Sequence, residues 1–447
     1  MPSLLHDSLK KIYKGKKLLI LGFAREGKST ARVLHEAFPD SRFSVMDKQA
    51  VDLSDFPYLT RQEPYLANLG DFDVIFKTAG IPLSEPALKE CLQKGGVITS
   101  ELNEFLRVYA LQTTGVTGTK GKSTTSALLN DMLRAAGDDG LHGGNIGIPA
   151  FDLVDKIKPS SMIILEMSSY QLETVEFSPH IALLLNIFPE HLDYHGTLDG
   201  YLEAKANITR FQNQSDLLFY DGSFPTLTAI AAKTRAWAIN FTSAAELNAI
   251  GAFTEDLAKL PEIIRLKNAP AAIAIARRLG VADDAIAQAL RDFRPLPHRL
   301  ERVGEFKGIE FYDDTLATVP EATIAAVNSL PRVDVIIVGG YDRGIDYSSV
   351  ADKIVRARIP YVILFPTTGE KIAALIKAQT AERQAPILES VSDMEAAVRK
   401  CFEFLPRGGT VLLSPASPSF GLFKDYEDKS SQYISWIKTL AAGVDKH

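Results

Sequence analysis

From Thr113 to Thr125 the chain reads TTGVTGTKGKSTT. Small and β-branched residues lead into Gly118 and Gly121, then Lys122 and Ser123, then the helix-forming run Ser126-Ala127-Leu128-Leu129. Strand, glycine-rich loop and helix start, in that order, make an anion site, because the free N–H groups of a helix N-terminus point outward. Glycines let the backbone wrap phosphate oxygens closely. In such a loop Lys122 reaches the terminal phosphates as a point charge and the Ser123 hydroxyl holds Mg²⁺. The competing reading is a tight turn with a solvated lysine. The strict spacing G-x-x-x-x-G-K-[ST] fails here, since Val116 stands five residues before Gly121. It is met instead at Gly22 to Ser29, GFAREGKS. There are thus two candidate phosphate loops.

The segments downstream of the two loops rank them. After the second, residues 161–165 read as a buried strand with Glu166 at its carboxyl end, where nucleotide folds place a magnesium-directed carboxylate. Residues 180–185 form another strand. Its exit, Asn186 to His195, carries Glu190, His191, Asp193 and His195. Such a loop suits a metal or an acid–base site, although His and Asp also make ordinary surface hydrogen bonds. A helix over residues 201–211 then brings Lys205. The first loop leads only to Asp47, 20 positions after Gly27, where a βαβ unit meets a ribose. ATP and Mg²⁺ therefore go to Thr117–Ser123. Gly22–Ser29 is open to three readings: a dinucleotide site, for which Ala24 replaces the second glycine, a ligand-free turn, or a nucleoside-diphosphate site. The last uses the same helix start together with Asp47 and is favoured.

These loops need parallel sheets to hold them. Apolar runs over residues 17–21, 42–46 and 73–76 predict strands of a first α/β layer, and Thr78-Ala79-Gly80 is the exit turn of the third. Strands over 333–338, 361–365 and 410–413 alternate with helices over 348–357, 370–378 and 394–404, which predicts a further parallel sheet. With 447 residues the chain has room for about three domains of ~150 residues each. A net charge of −6 gives no footprint for nucleic acid or an anionic membrane. Cys91 and Cys401 are too few and too far apart for a disulfide framework. The N-terminus lacks the apolar core of a signal peptide, and no run approaches a membrane span. A cytoplasmic enzyme or nucleotide-binding protein is expected.

Taken together, TGTKGKST (117–124), GGNIGIP (143–149), EMSSYQLE (166–173), NIFPEHLDYHGTLDGYLEAKANI (186–208), LPHRLE (296–301), DDTLAT (313–318), GGYDRGIDYS (339–348) and LLSPASPSFGLFKDYEDK (412–429) resemble the Mur ligases over the full length, most closely the D-glutamate-adding type. In that family the phosphate loop is T-G-T-x-G-K-[ST], which accounts for the failed spacing. The resemblance implies an α/β protein of three mostly parallel sheets with flanking helices. A Rossmann-like domain (residues 1–107) would bind the UDP substrate. A P-loop NTPase-like domain (108–297) would bind ATP, and a Rossmann-like domain (298–447) the amino acid. It implies ATP contacts at Gly118, Thr119, Lys120, Gly121, Lys122, Ser123, Thr124, Asn268, Arg299 and Asp314. The UDP-substrate contacts would be Gly22, Phe23, Ala24, Arg25, Asp47, Lys48, Thr78, Gly80 and Asn145, with Ser168 and Ser169 beside Asn145. Amino-acid contacts would be Thr318, Arg343, Ser419, Phe420 and Tyr426. Lys122, Glu166, His191 and Lys205 carry catalysis in this reading. Two Mg²⁺ ions would sit on Ser123 and Glu166, and on His191 and Lys205. A lysine ammonium beside such ions would be repelled, and the family's answer is a carbamate on the Lys205 nitrogen. The implied reaction is ATP-dependent amide formation between UDP-N-acetylmuramoyl-L-alanine and D-glutamate through an acyl phosphate, by a monomer with no nucleic-acid or membrane partner. His191 is a candidate base, though a metal would occupy one of its nitrogens.

Five residues depart from the family pattern. Leu316 and Arg343 replace lysines near the amino-acid pocket, Arg265 replaces the first asparagine of the adenine motif, and Thr78-Ala79 replaces Ser-Pro. The first two leave L-glutamate as an alternative to D-glutamate. Folylpolyglutamate synthase is disfavoured by the complete nucleotide-binding-like unit before the ATP loop, and the diaminopimelate-adding ligase by the lack of D-N-P-R. An NAD-dependent oxidoreductase leaves TGTKGKS unexplained. A non-catalytic ATP-binding protein leaves Glu166, His191 and Lys205 without a purpose.

Overall fold

Leu18–Leu21, with all four side chains buried, is the apolar run expected of a strand covered on both faces. It is β1 of a five-stranded sheet, with β2 (Phe43–Met46), β3 (Leu59–Arg61), β4 (Val74–Lys77) and β5 (Val97–Thr99). The order is β3-β2-β1-β4-β5 and every pair is parallel. Strand order reverses between β1 and β4, so the crevice for a ligand opens at their carboxyl ends. Gly22 to Arg25 follow β1, Asp47 and Lys48 follow β2, and Thr78 to Gly80 follow β4.

The second sheet holds β6 (Thr113–Thr117), β7 (Gly140–Gly144), β8 (Met162–Glu166), β9 (Ile181–Leu184), β10 (Leu217–Tyr220) and β11 (Trp237–Asn240). Its order is β11-β10-β9-β6-β8-β7, again all parallel. The loop after β6 enters the helix Lys122–Ala135. Strand β7, sequence GLHGG, carries no apolar run, and its glycines answer to a backbone approach. A Cβ on Gly144, at φ +106°, would lie 2.2 Å from the Glu166 carbonyl oxygen.

The third sheet comprises β12 (Glu301–Phe306), β13 (Ile309–Asp313), β14 (Val335–Gly340), β15 (Tyr361–Thr367), β16 (Ile387–Ser390) and β17 (Gly409–Leu413). The order is β12-β13-β17-β14-β15-β16. All its pairs are parallel except β12–β13, an antiparallel hairpin. Lys307 and Gly308 close that hairpin at φ +53° and +76°. Two positive φ values in a two-residue loop match the twist of the flanking strands.

This computed structural model describes residues 3–145, 148–260, 264–294, 297–342, 344–380, 385–419 and 421–443, without the side chains of Asp193 and Glu321. The chain forms two compact units. One runs to Leu260 and includes Ile264–Phe293, and the other begins at Arg294. The first two sheets lie in the first unit and the third sheet in the second. Among the described residues no helix is long and apolar enough to cross a membrane.

Candidate active site

Gly121 is the N-cap of the helix Lys122–Ala135, in the left-handed region at φ +86°. A Cβ there would come within 2.4 Å of Asn268 Nδ2. That amide group donates to the Gly121 carbonyl at 3.2 Å and to Thr125 Oγ1 at 3.0 Å. Asn268, an expected ATP contact, thus braces the loop from a helix distant in sequence. The loop's other side is fixed by the segment after β9. Thr119 N donates to Asn186 O and Lys120 N to Asn186 Oδ1, at 2.9 and 2.8 Å. Thr119 Oγ1 meets the Tyr201 hydroxyl at 2.8 Å. Lys122 Nζ folds onto the carbonyls of Gly118 and Thr119, at 3.0 and 3.2 Å.

Ser123 lies in the first turn of this helix and Glu166 ends β8, so parallel pairing of β6 with β8 sets them side by side. Ser123 Oγ donates to Glu166 Oε2 at 2.5 Å, and Asn145 Nδ2 donates to Glu166 Oε1 at 2.8 Å. Hydroxyl and carboxylate oxygens are the hard donors that Mg²⁺ takes. The pair therefore fits the magnesium expected on Ser123 and Glu166.

Lys205 lies on the helix Leu198–Arg210 and is 2% exposed. Its Nζ donates to Gly118 O at 2.9 Å and Thr117 Oγ1 at 3.3 Å. Burial, then repulsion from Lys122, hold its pKa well below the usual lysine value. Burial thus disfavours the charged ammonium form. Glu190, one of the two acids of the candidate loop 186–195, is buried and accepts from Lys120 Nζ at 3.1 Å. Burial alone would raise its pKa, but Lys120, His191 and Lys122 outweigh that and hold it at about 2. His191 Nε2 lies 3.8 Å from the second Glu190 oxygen, and its ring centroid is 4.7 Å from that of Tyr170. Lysines 120, 122 and 205 with Glu166, Glu190 and His191 make a partly buried cluster of ionisable groups at the carboxyl ends of β6, β8 and β9. Glu190, Asn186 and Tyr201 all lie in the segment 186–208. Their roles became visible only through the contacts across the sheet.

The loop after β1 has a different chemistry. Phe23 N donates to Asp47 Oδ2 at 2.7 Å, so Asp47 closes the loop rather than standing free. Arg25 donates to the Asn145 carbonyl at 3.1 Å, and Thr78 Oγ1 to Leu21 O at 3.1 Å. These contacts bring Gly22 to Arg25, Asp47, Thr78 and Asn145 together within the first unit. Lys48 and Gly80 are exposed at the same end. No carboxylate–histidine–lysine set like that of the second loop surrounds these described residues.

In the second unit Asp314 is buried. It accepts from Leu300 N at 3.1 Å and Ser414 Oγ at 2.7 Å. Burial pushes its pKa up to about 7 against those donors and Arg299. Neighbouring Asp313 accepts from His298 Nδ1 at 2.9 Å and Ser430 Oγ at 2.5 Å. Thr318 N donates to the Leu316 carbonyl at 3.0 Å. The Ser419 hydroxyl is buried with no hydrogen-bond partner among the described residues. Tyr426 starts the helix Tyr426–Ala441, its ring centroid 5.8 Å from that of His298. Arg343 and Phe420, also expected at the amino-acid pocket, lie outside the described residues.

Comparison with known proteins agrees with this arrangement. Residues 116–262 match the Mur ligase middle domain and residues 298–417 the Mur ligase, glutamate ligase domain. The UDP-N-acetylmuramoylalanine–D-glutamate ligase of Geobacillus kaustophilus is 33% identical, over 96% of this chain and 99% of its own. That of Streptococcus agalactiae serotype III is 30% identical, over 96% and 98%. Among solved structures, the MurF ligase of Thermotoga maritima in complex with ADP has a TM-score of 0.58 at 16% identity, covering 95% of each chain. The UDP-N-acetylmuramate-alanine ligase MurC of the same organism has 0.56 at 15% identity, covering 95% of this chain and 100% of its own. The sheets, the loop chemistry and the near-complete alignment lead to one conclusion: this chain belongs to the Mur ligase family.

Proposed function

We propose that this chain is an ADP-forming ligase that joins D-glutamate to UDP-N-acetylmuramoyl-L-alanine in peptidoglycan precursor synthesis. The hydrogen-bonded set Ser123–Glu166–Asn145 carries the reading. It joins the phosphate loop, the carboxylate read as magnesium-directed and Asn145, whose carbonyl meets Arg25 of the first loop. Relatives named for this reaction align along nearly the whole chain. In the reaction, the terminal carboxylate of the UDP substrate takes the γ-phosphoryl group of ATP. The amine of the amino acid then attacks the acyl carbon, phosphate leaves and the amide forms.

Lys122 and Arg299 offset charge on the transferring phosphoryl group. Asn268 keeps the phosphate loop in shape, and Asp314 takes the ribose. Gly22 to Arg25, Asp47, Lys48, Thr78 and Gly80 hold the UDP group. Thr318, Arg343, Ser419, Phe420 and Tyr426 hold the amino acid. Two magnesium ions, when bound, supply further electrostatic stabilisation of the same charge. Ser123 and Glu166 would hold one, and His191 and Lys205 the other. In its neutral form, which burial favours, the Lys205 amine can add to CO₂, forming an N–C bond and releasing a proton, which gives an anionic oxygen donor at that place. The division at residues 107/108 and 297/298, a monomeric state and a cytoplasmic site of action complete the proposal.

Leu316 favours a second reading. A lysine there would hold a carboxylate of the incoming amino acid, and leucine cannot, so L-glutamate is the alternative substrate. The test is phosphate release from ATP with UDP-N-acetylmuramoyl-L-alanine and a panel of amino acids. D-glutamate is expected to give the highest turnover. Absence of turnover dependent on the UDP substrate with every amino acid would overturn the assignment.

A further inference from the structure

One phenol ties the loop after β4 to the loop after β9. The Tyr194 hydroxyl lies 2.9 Å from Ala79 O, 3.0 Å from Ile81 O and 3.0 Å from Glu173 Oε2. All three are acceptors, and a phenol has a single proton, so it can serve only one of them at a time. The same Glu173 oxygen accepts from Leu83 N at 3.2 Å and lies 3.6 Å from Lys77 Nζ. Lys77 is buried and donates to Ile81 O at 2.6 Å. On the other side Glu26 accepts from Ala79 N at 2.9 Å and from Gln171 Nε2 at 2.6 Å. The turn 78–81 is therefore gripped by side chains of the second sheet's loops.

Tyr194 is also bound to His191 through the backbone. Its N–H donates to the His191 carbonyl at 3.1 Å, and His195 N donates to the same oxygen at 3.0 Å. His191 sits at φ +59°, a region that costs a non-glycine residue about 1 kcal/mol or more and persists only where surroundings enforce it. The Tyr170 ring lies between, with centroids 4.1 Å from Tyr194 and 4.7 Å from His191. A shift of the Tyr194 ring thus displaces His191 through both the backbone and the ring stack.

We propose that Tyr194 is a positioning residue, whose hydroxyl, shared among Glu173 and the carbonyls of Ala79 and Ile81, transmits occupancy of the 78–81 loop to His191. The proposal rests on that loop being a contact for the UDP substrate. Moving the turn changes which acceptor the phenol serves, and this choice is the two-state element that coupling requires. Tyr194→Phe keeps the ring and its stacking and removes only that choice.

The test uses the full chain with isotope-labelled histidine, the His191 signals being assigned by comparison with His191→Gln. UDP-N-acetylmuramoyl-L-alanine alone is added to saturation. In the wild type the His191 imidazole signals shift. In Tyr194→Phe the sugar nucleotide still binds, at most about tenfold more weakly as for loss of one ordinary intramolecular hydrogen bond, but the His191 shift is lost. In turnover, kcat falls while KM for ATP stays unchanged, a split that a general loss of structure would not give. Glu173→Gln reduces the His191 shift, and the double variant behaves as Tyr194→Phe alone, since both act through one contact. Should Tyr194→Phe fail to fold, Glu173→Gln carries the test. An undiminished His191 shift in the folded variants overturns the proposal and leaves the substrate assignment standing. Failure of the wild type to bind the sugar nucleotide overturns both.

Discussion

Lys205 Nζ donates to the Gly118 carbonyl oxygen across 2.9 Å, although 87 residues separate them. A buried amine is thereby fixed against the backbone of the phosphate loop. Its depressed pKa comes from burial first and Lys122 second. Lys205→Ala is expected to lower turnover on the order of 100-fold, as for loss of one preorganised charge-stabilising group. Short carboxylic acids should restore part of it, by returning an anionic oxygen to the vacated space. Steady-state rates with and without added formate or acetate decide the matter. Full activity in the untreated variant would exclude the carbamate role.

Lys122 and Lys28 each precede a serine at the start of a helix that comes after a glycine-rich loop. Only Lys122 stands among Glu166, Glu190 and Lys205. Lys28 lies 6.0 Å from the centroid of the Phe23 ring. Lys122→Ala should abolish measurable turnover, whereas Lys28→Ala should at most raise KM for the UDP substrate. Comparable losses of kcat in both variants would reverse the ranking of the two loops.

Ser123 and Glu166 share one short hydrogen bond, so either substitution leaves the other oxygen donor in place. Glu166→Gln exchanges an anionic oxygen for a neutral one without changing shape. The magnesium concentration for half-maximal activity is expected to rise at least about tenfold, with a smaller rise for Ser123→Ala. Magnesium titrations at saturating ATP measure this. An unchanged requirement in Glu166→Gln would remove that carboxylate from the metal site.

Asp314 carries a pH signature. Burial raises its pKa to about 7 in the folded chain, whereas an unfolded aspartate titrates near 3.9. Between those values the folded state holds a proton that the unfolded state has lost. Its contribution to stability is thus complete below about pH 4 and falls as pH rises to about 7. The full difference is on the order of 4 kcal/mol. Asp314→Asn should flatten this fall. Trp436 lies in the second unit, so urea unfolding of a Trp237→Phe background, monitored by fluorescence at about pH 5 and about pH 8, reads it directly. Equal pH slopes with aspartate and asparagine would contradict the burial effect.

Leu316→Lys restores the family's residue beside the expected amino-acid pocket. If the pocket lacks a cation for one carboxylate, this variant should lower KM for D-glutamate by about two- to fivefold, the value of one exposed ion pair. A kinetic comparison with L-glutamate tests whether the leucine sets chirality. No change toward either amino acid would place Leu316 outside the pocket.

Short-range patterns by themselves determined much of this protein. The phosphate loop, the apolar strands β1, β4, β8, β9 and β14, and the order of motifs from TGTKGKST to LLSPASPSFG are all local in sequence. Periodicity and glycine placement report on local backbone geometry. Tertiary structure decided what depends on contact across a sheet. Strand β7 was hidden because its glycines serve the approach of the Glu166 backbone rather than an apolar face. The hairpin β12–β13 departs from the parallel pattern through the positive φ of Lys307 and Gly308. Glu190 gained its partner Lys120, and Tyr194 its grip on residues 79–81, only when β6, β9 and the loop after β4 came together. Such pairings lie dozens of residues apart, and no local pattern encodes a hydrogen bond between side chains that meet only after the sheets have formed.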